Sequence, residues 1–225
     1  IERTSPHAAK RRIYEQFARV SKALAAPARL ELVDLLLQGE RSVEALAGAT
    51  ELSVANTSRH LQVLAAARLV TTRRDGQRIL YRIADDSVEA LWHAVRRTAE
   101  ARIAELTEVA RAYLTGSDDF EPIDRVELVR RLRAGMVTLI DVRPAEEFAQ
   151  GHIRGAISVP IERLPAYVKS APKRGLVVAY CRGPYCVYAL RAVAALRKRG
   201  IHAMRLEDGV SEWRAAGLAL ERSAP

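Results

Sequence analysis

Leu176-Val177-Val178-Ala179-Tyr180-Cys181-Arg182-Gly183-Pro184-Tyr185-Cys186 decides the fold of the carboxyl-terminal half of the chain. Its first five residues form a continuous apolar run, too short for a helix, which predicts a strand buried on both faces. The run stops at a loop, and Tyr188–Arg199 beyond it carries apolar residues at helical spacing. A doubly buried strand leading through a loop to a helix is a unit of a parallel sheet. Cys181 therefore sits at the carboxyl end of a strand, facing the amides of a helix start. That partial positive charge favours a thiolate and stabilises an anion above it. Gly183 permits a tight loop, Arg182 adds a nearby cation, and Tyr185 completes the cradle. Such a cradle suits a thiolate, a persulfide or an oxyanion. Taken alone, the same residues equally suit a buried, inert cysteine.

Outward from this strand the alternation continues. Val126–Ala134, Ala145–Gln150, Leu164–Lys169 and Val210–Ala216 have helical patterns, and Thr138–Val142, Ile157–Val159 and His202–Leu206 are short apolar strands. Alternation of this kind predicts an α/β domain with a mostly parallel sheet. Upstream, Thr115-Gly116-Ser117-Asp118-Asp119 breaks a long helical pattern with small, acidic residues. The expected organisation is a first domain over 1–115, a linker over 116–121 and a second domain over 122–225.

The first domain has a different grammar. Helices are expected over 8–26, 28–38, 43–49 and 54–67, with Pro27 at a helix start, Gly39 at a helix end, and Ser42 and Ser53 as N-caps. Strands Leu69–Thr72 and Ile79–Ile83 flank Arg73-Arg74-Asp75-Gly76-Gln77-Arg78, whose Asp-Gly pair signals a hairpin. Asp85–Tyr113 is expected to be one long helix. Helices followed by a hairpin with a basic tip form a winged helix-turn-helix, mostly α with a β wing. The early face of the helix over 54–67 would present Ser53, Asn56, Thr57, Ser58, Arg59 and His60 to a major groove, while Leu61, Val63 and Leu64 pack inward. Arg73, Arg74 and Arg78 would reach phosphates or the minor groove.

Two sets of motifs resemble known families. Ala25-Ala26-Pro27-Ala28-Arg29-Leu30, Leu52-Ser53, Thr57-Ser58-Arg59-His60-Leu61-Gln62-Val63-Leu64 and Leu69-Val70 before the basic hairpin resemble the ArsR family of winged-helix repressors. The resemblance implies a homodimer, formed through the first and last long helices, on an inverted-repeat operator in double-stranded DNA. Asp141-Val142-Arg143, Glu147 through Ala156, Tyr180-Cys181-Arg182-Gly183 and Asp208-Gly209-Val210 with Trp213 and Gly217 resemble the rhodanese family. This second resemblance implies that Cys181 is the sulfur-accepting nucleophile, with Asp141, Arg143 and His152 as structural supports. A six-residue loop fits sulfurtransferases better than related phosphatases and arsenate reductases, whose longer loop ends in an anion-clamping Arg. The fold class expected is thus a two-domain chain, a winged helix followed by a rhodanese-like α/β domain.

The metal-sensing pattern of ArsR relatives is missing. No cysteine precedes Cys181, and His7, His60 and His93 lack ligand spacing, so neither metal nor cofactor is expected. The net charge of +9 is spread over both halves and favours an anionic partner. No stretch approaches the ~18 apolar residues of a membrane span. The first residues lack a signal-peptide core and a Met, which suggests a trimmed, cytoplasmic chain. Cys186, the only other cysteine, is expected to resolve a persulfide on Cys181 as a disulfide or a bridge with extra sulfur. The function these features favour is a regulator sensing sulfane-sulfur donors, polysulfide or redox state. The competing expectation is a sulfurtransferase, of weak thiosulfate or persulfide activity, that carries a winged helix for localisation or control.

Overall fold

The computed structural model describes residues 5–114 and 122–223. The chain divides into two compact units that part between Arg96 and Arg97. The expected linker, 116–121, lies outside the described residues.

In the first unit, α1 (Pro6–Leu24), α2 (Pro27–Leu37), α3 (Val43–Thr50) and α4 (Val54–Ala66) precede the hairpin β2 (Val70–Asp75) and β3 (Arg78–Ile83). The expected caps hold: Ser42 Oγ accepts from the Ala45 amide at 3.3 Å and Ser53 Oγ from the Asn56 amide at 3.2 Å. Gly76 takes φ 59° at the first central position of the hairpin turn, where type II′ turns favour glycine. A two-residue strand that the sequence did not signal, β1 (Arg41–Ser42), pairs with β3 and completes an antiparallel sheet of order β1-β3-β2. Leu32, Val33, Leu36, Leu46, Leu61, Leu64 and Val88 fill the core. Trp92 reaches back to α2, its indole N–H donating to Asp34 at 3.2 Å.

The helix expected over Asp85–Tyr113 is two helices, α5 (Asp86–Arg102) and α6 (Ala104–Leu114), with Ile103 outside both. Neither Gly nor Pro marks the break, so nothing local signals it.

In the second unit, α7 (Arg125–Arg133), β4 (Val137–Asp141), α8 (Ala145–Gln150), β5 (His152–Ile153), β6 (Ile157–Ser158), α9 (Leu164–Ser170), β7 (Leu176–Tyr180), α10 (Val187–Arg197), β8 (Ala203–Arg205), α11 (Val210–Ala215) and β9 (Leu220–Glu221) follow in order. Four strands make a parallel sheet of order β6-β4-β7-β8, and β5 pairs antiparallel with β9 in a small second sheet. β7 lies between β4 and β8 and is buried throughout. Its side chains alternate between two cores. Val177, Ala179 and then Cys181 join the core that holds α9 and α10, whereas Leu176, Val178 and Tyr180 join the core of Ile153, Val210 and Trp213. Ile123, just before α7, bridges Leu206 beyond β8, and its amide donates to the Arg205 carbonyl at 2.9 Å.

Candidate functional site

The geometry of the first unit follows from α4. Residues 57, 61 and 64 share one helix face by i, i+4, i+7 spacing, and all three are buried. Thr57 is fully enclosed, and among the described residues its Oγ1 finds no hydrogen-bond partner. Its expected place among the DNA-facing residues is therefore corrected: a side chain inside the core cannot reach a groove. Val63, expected inside, is 39% exposed. Ser53 and Arg59 are exposed, and Asn56, Ser58 and His60 half-buried.

The wing is exposed along its whole tip. Arg73 is not the free cation the sequence suggested. Its guanidinium forks onto Glu40, with Nε donating to Oε2 at 3.2 Å and a second bond to Oε1, and its Nη1 lies 3.6 Å from Asp75. The hydrogen bonds from Arg73 hold the Glu40 carboxyl below its usual value. Arg74 folds back to the Gly76 carbonyl at 3.2 Å, and Arg78 is exposed. Glu40 was missed because it lies 33 residues from Arg73 in sequence.

In the second unit the structure brings both cysteines together. Cys181 and Cys186 are bonded to each other, with Cα atoms 6.1 Å apart, inside the range a disulfide spans. Cys181 ends the inward register of β7 and is 2% exposed. Cys186 is half-buried, occupies the N-cap of α10, and donates its amide to the Gly183 carbonyl at 3.1 Å.

Arg182 does not face the cradle as an unpaired cation. It forks onto the buried Glu147, with bonds of 2.6 to 3.2 Å, so its charge is matched by a carboxylate of α8. A second buried carboxylate, Glu212, accepts from the Gly209 amide at 2.8 Å and lies 3.5 Å from where a Cβ on Gly183 would stand. Gly209 itself abuts the loop: a Cβ there would fall 2.1 Å from the Arg182 carbonyl oxygen. Arg205 donates to the Pro184 carbonyl at 3.4 Å, and Arg125 pairs with Asp208 at 2.8 Å. Glu147, Arg205, Gly209 and Glu212 thus buttress the loop from three separate segments. Glu147 and Gly209 stand in motifs the sequence singled out, although nothing local tied them to the loop. Tyr185 is half-buried within it.

Asp141 and Arg143 form a fully buried ion pair at 2.6 Å, and Arg143 also donates to the Gly151 carbonyl at 2.7 Å. Tyr180, whose hydroxyl accepts from the Ile153 amide at 3.0 Å, has its phenol pushed well up, first by burial and then by the Asp141 charge. His152 stacks on Phe148 at 3.7 Å, and its Nδ1 is 2.9 Å from the Phe148 carbonyl. Asp141, Arg143 and His152 thus knit β4, β5 and α8 together, an arrangement that suits supporting roles.

A winged helix joined to a rhodanese-like α/β fold defines a class, the DNA-binding transcriptional regulators with a rhodanese-like domain. The bacterial arsR-family regulatory model matches residues 26–72, and the rhodanese-like domain model matches residues 124–216. The HTH-type transcriptional regulator Rv0324 of Mycobacterium tuberculosis is 46% identical over 216 residues, spanning 96% of this chain and 95% of that protein. A sulfurtransferase of Allochromatium vinosum is 34% identical over 100 residues, covering 44% of this chain and 92% of that one. The solution structure of a homodimeric winged helix-turn-helix DNA-binding domain from Mycobacterium bovis is 41% identical and covers 47% of this chain and 95% of that one, with a TM-score of 0.42. The chain belongs to the ArsR family of bacterial transcriptional regulators and carries a rhodanese-like domain.

Proposed function

We propose that the protein is a homodimeric repressor whose cysteine loop senses sulfane sulfur or oxidation and alters operator binding. The observation that carries this reading is the pairing of the chain's only two cysteines, in one loop, on a chain whose other half is a DNA-binding fold. Two thiols that can close a bond provide two covalent states, and a regulator needs two states with different DNA affinity. Ser53, Asn56, Ser58, Arg59 and His60 read the major groove, and Arg74 and Arg78 hold phosphates. The dimer forms through α1 and the helices after the wing. Ile13, Tyr14 and Phe17 on α1 are each at least 55% exposed, and so, separately, are Val109 and Tyr113 on α6, large apolar side chains of the kind that mark an interface.

The test uses full-length protein and a duplex selected from random sequence by the reduced protein. Affinity for that duplex should change at least about tenfold, a coupling of about 1.4 kcal/mol, between reduced protein and protein treated with sodium tetrasulfide. Equal affinity in both states sinks the sensor reading. The second reading, a sulfurtransferase, is favoured by the rhodanese-like match and the Allochromatium relative. Steady-state turnover of thiosulfate with cyanide would establish it.

A further inference from the structure

We infer that the second unit binds DNA as well: the edge of its parallel sheet opposite the cysteine loop takes the phosphate backbone of the duplex beside the operator. The inference needs the DNA-binding class of the protein and not the sensor reading. Its foundation is the sheet topology. β4, β7 and β8 are neighbours, and their starts are level, with Val137 beside Leu176 and Val177 beside Ala203. Parallel strands in such register begin at one edge, and the cysteine loop leaves β7 from the other.

Each of the three strand starts is fed by a basic segment. Arg130, Arg131 and Arg133 close α7 before β4. Lys169 lies in the last turn of α9, and Lys173 and Arg174 follow it before β7. Arg197, Lys198 and Arg199 lead from α10 towards β8. α7 packs on one face of the sheet, α9 and α10 on the other, so cations flank this edge on both sides. Carboxylates gather at the opposite edge. Glu146 and Glu147 lie beyond the end of β4, Glu162 beyond β6, and Glu207, Asp208 and Glu212 beyond β8.

Some of the basic side chains are already engaged. Glu127 reaches along α7 to Arg130 and Arg131, and Arg197 donates to the Ala203 carbonyl at 2.8 Å. Arg133, Lys169, Lys173, Arg174, Lys198 and Arg199 are exposed and make no ion pair among the described residues. A helix favours cations in its last turn, which accounts for Lys169. It does not account for Lys173, Arg174 and Arg199, which stand in connections outside any helix.

Double-stranded DNA is the polyanion these features fit. It offers a charge for about every 1.7 Å of its axis, and adjacent strands about 5 Å apart set the basic segments side by side. Single-stranded nucleic acid is held by exposed aromatic rings. The large apolar side chains exposed among residues 122–223 are Val126, Met136 and Ile157, none of them aromatic. A lipid surface takes an apolar helix face, and of these three only Met136 stands at the basic edge.

The test uses full-length protein and two duplexes. One is trimmed to the bases that selection from random sequence fixes, and the other adds two helical turns, ~20 base pairs, on each side. Lys173→Gln, Arg174→Gln, Lys198→Gln and Arg199→Gln are combined in one variant. On the long duplex its slope of log affinity against log salt should be shallower than wild type by at least about 1.8, two phosphate contacts. On the short duplex the two proteins should agree. A second variant, Arg133→Gln with Lys169→Gln, should lose at least about 0.9 on the long duplex, and decides the matter if the first misfolds. Unchanged slopes on the long duplex overturn the inference. So does an equal fall on both duplexes, because contact beyond the operator is then not involved. Binding to phosphatidylserine vesicles that the variants lose, with DNA slopes unchanged, assigns the edge to a membrane and also overturns it. None of these outcomes bears on the response to sodium tetrasulfide, so the sensor reading stands or falls separately.

Discussion

At Gly209 the backbone angles, φ −103° and ψ −167°, suit any amino acid, yet the position admits no side chain. What excludes one is the cysteine loop, since a Cβ would lie 2.1 Å from the Arg182 carbonyl oxygen and 2.7 Å from the Gly183 nitrogen. Both obstacles are backbone and cannot rotate away. Gly209→Ala should therefore cost at least about 2 kcal/mol in chemical denaturation and slow closure of the 181–186 bond after reduction. Unchanged stability with unchanged closure would show that the loop gives way freely. Asp208-Gly209-Val210 was legible as a motif, but its reason lies 27 residues upstream and no local pattern reveals it. Thr57 is the opposite case. Its burial was available from spacing, because Leu61 and Leu64 follow at i+4 and i+7, and its polar side chain drew it to the wrong face.

Among the elements, strands and helices with strong periodicity were legible, except that the helix expected over Asp85–Tyr113 breaks into α5 and α6. β7 and α8 match expectation residue for residue, and Ser42 and Ser53 cap the helices they were expected to cap. The elements that escaped are two-residue strands, β1, β5 and β9, whose existence depends on a partner and not on local composition. The wing shows the same limit at the level of charge. Its hairpin is where the sequence put it, but Arg73 is held by Glu40 from the segment before β1. Glu40→Gln should release Arg73 to a phosphate, steepening the dependence of log affinity on log salt by about 0.9. An unchanged slope in salt-titrated binding would mean that Arg73 never meets DNA. The lowered Glu40 carboxyl sets the pH sense: the pair is intact above the usual carboxylate range and is lost as pH falls through the lowered value.

For the whole molecule, α1 offers the sharpest test. Tyr14 and Phe17 meet edge to face at 5.8 Å and are 59% and 62% exposed, with Ile13 beside them at 55%. Phe17→Glu should weaken self-association by at least about 2 kcal/mol, roughly a thirtyfold rise in dissociation constant by sedimentation. An unaltered sedimentation profile would move the dimer contact elsewhere. The rung at Ile123 reaches further. Arg205 is gripped at both ends, its backbone carbonyl by the incoming polypeptide at Ile123 and its guanidinium by the Pro184 carbonyl. A displacement of the loop at Pro184 would therefore pass through Arg205 to Ile123, at the start of the second fold.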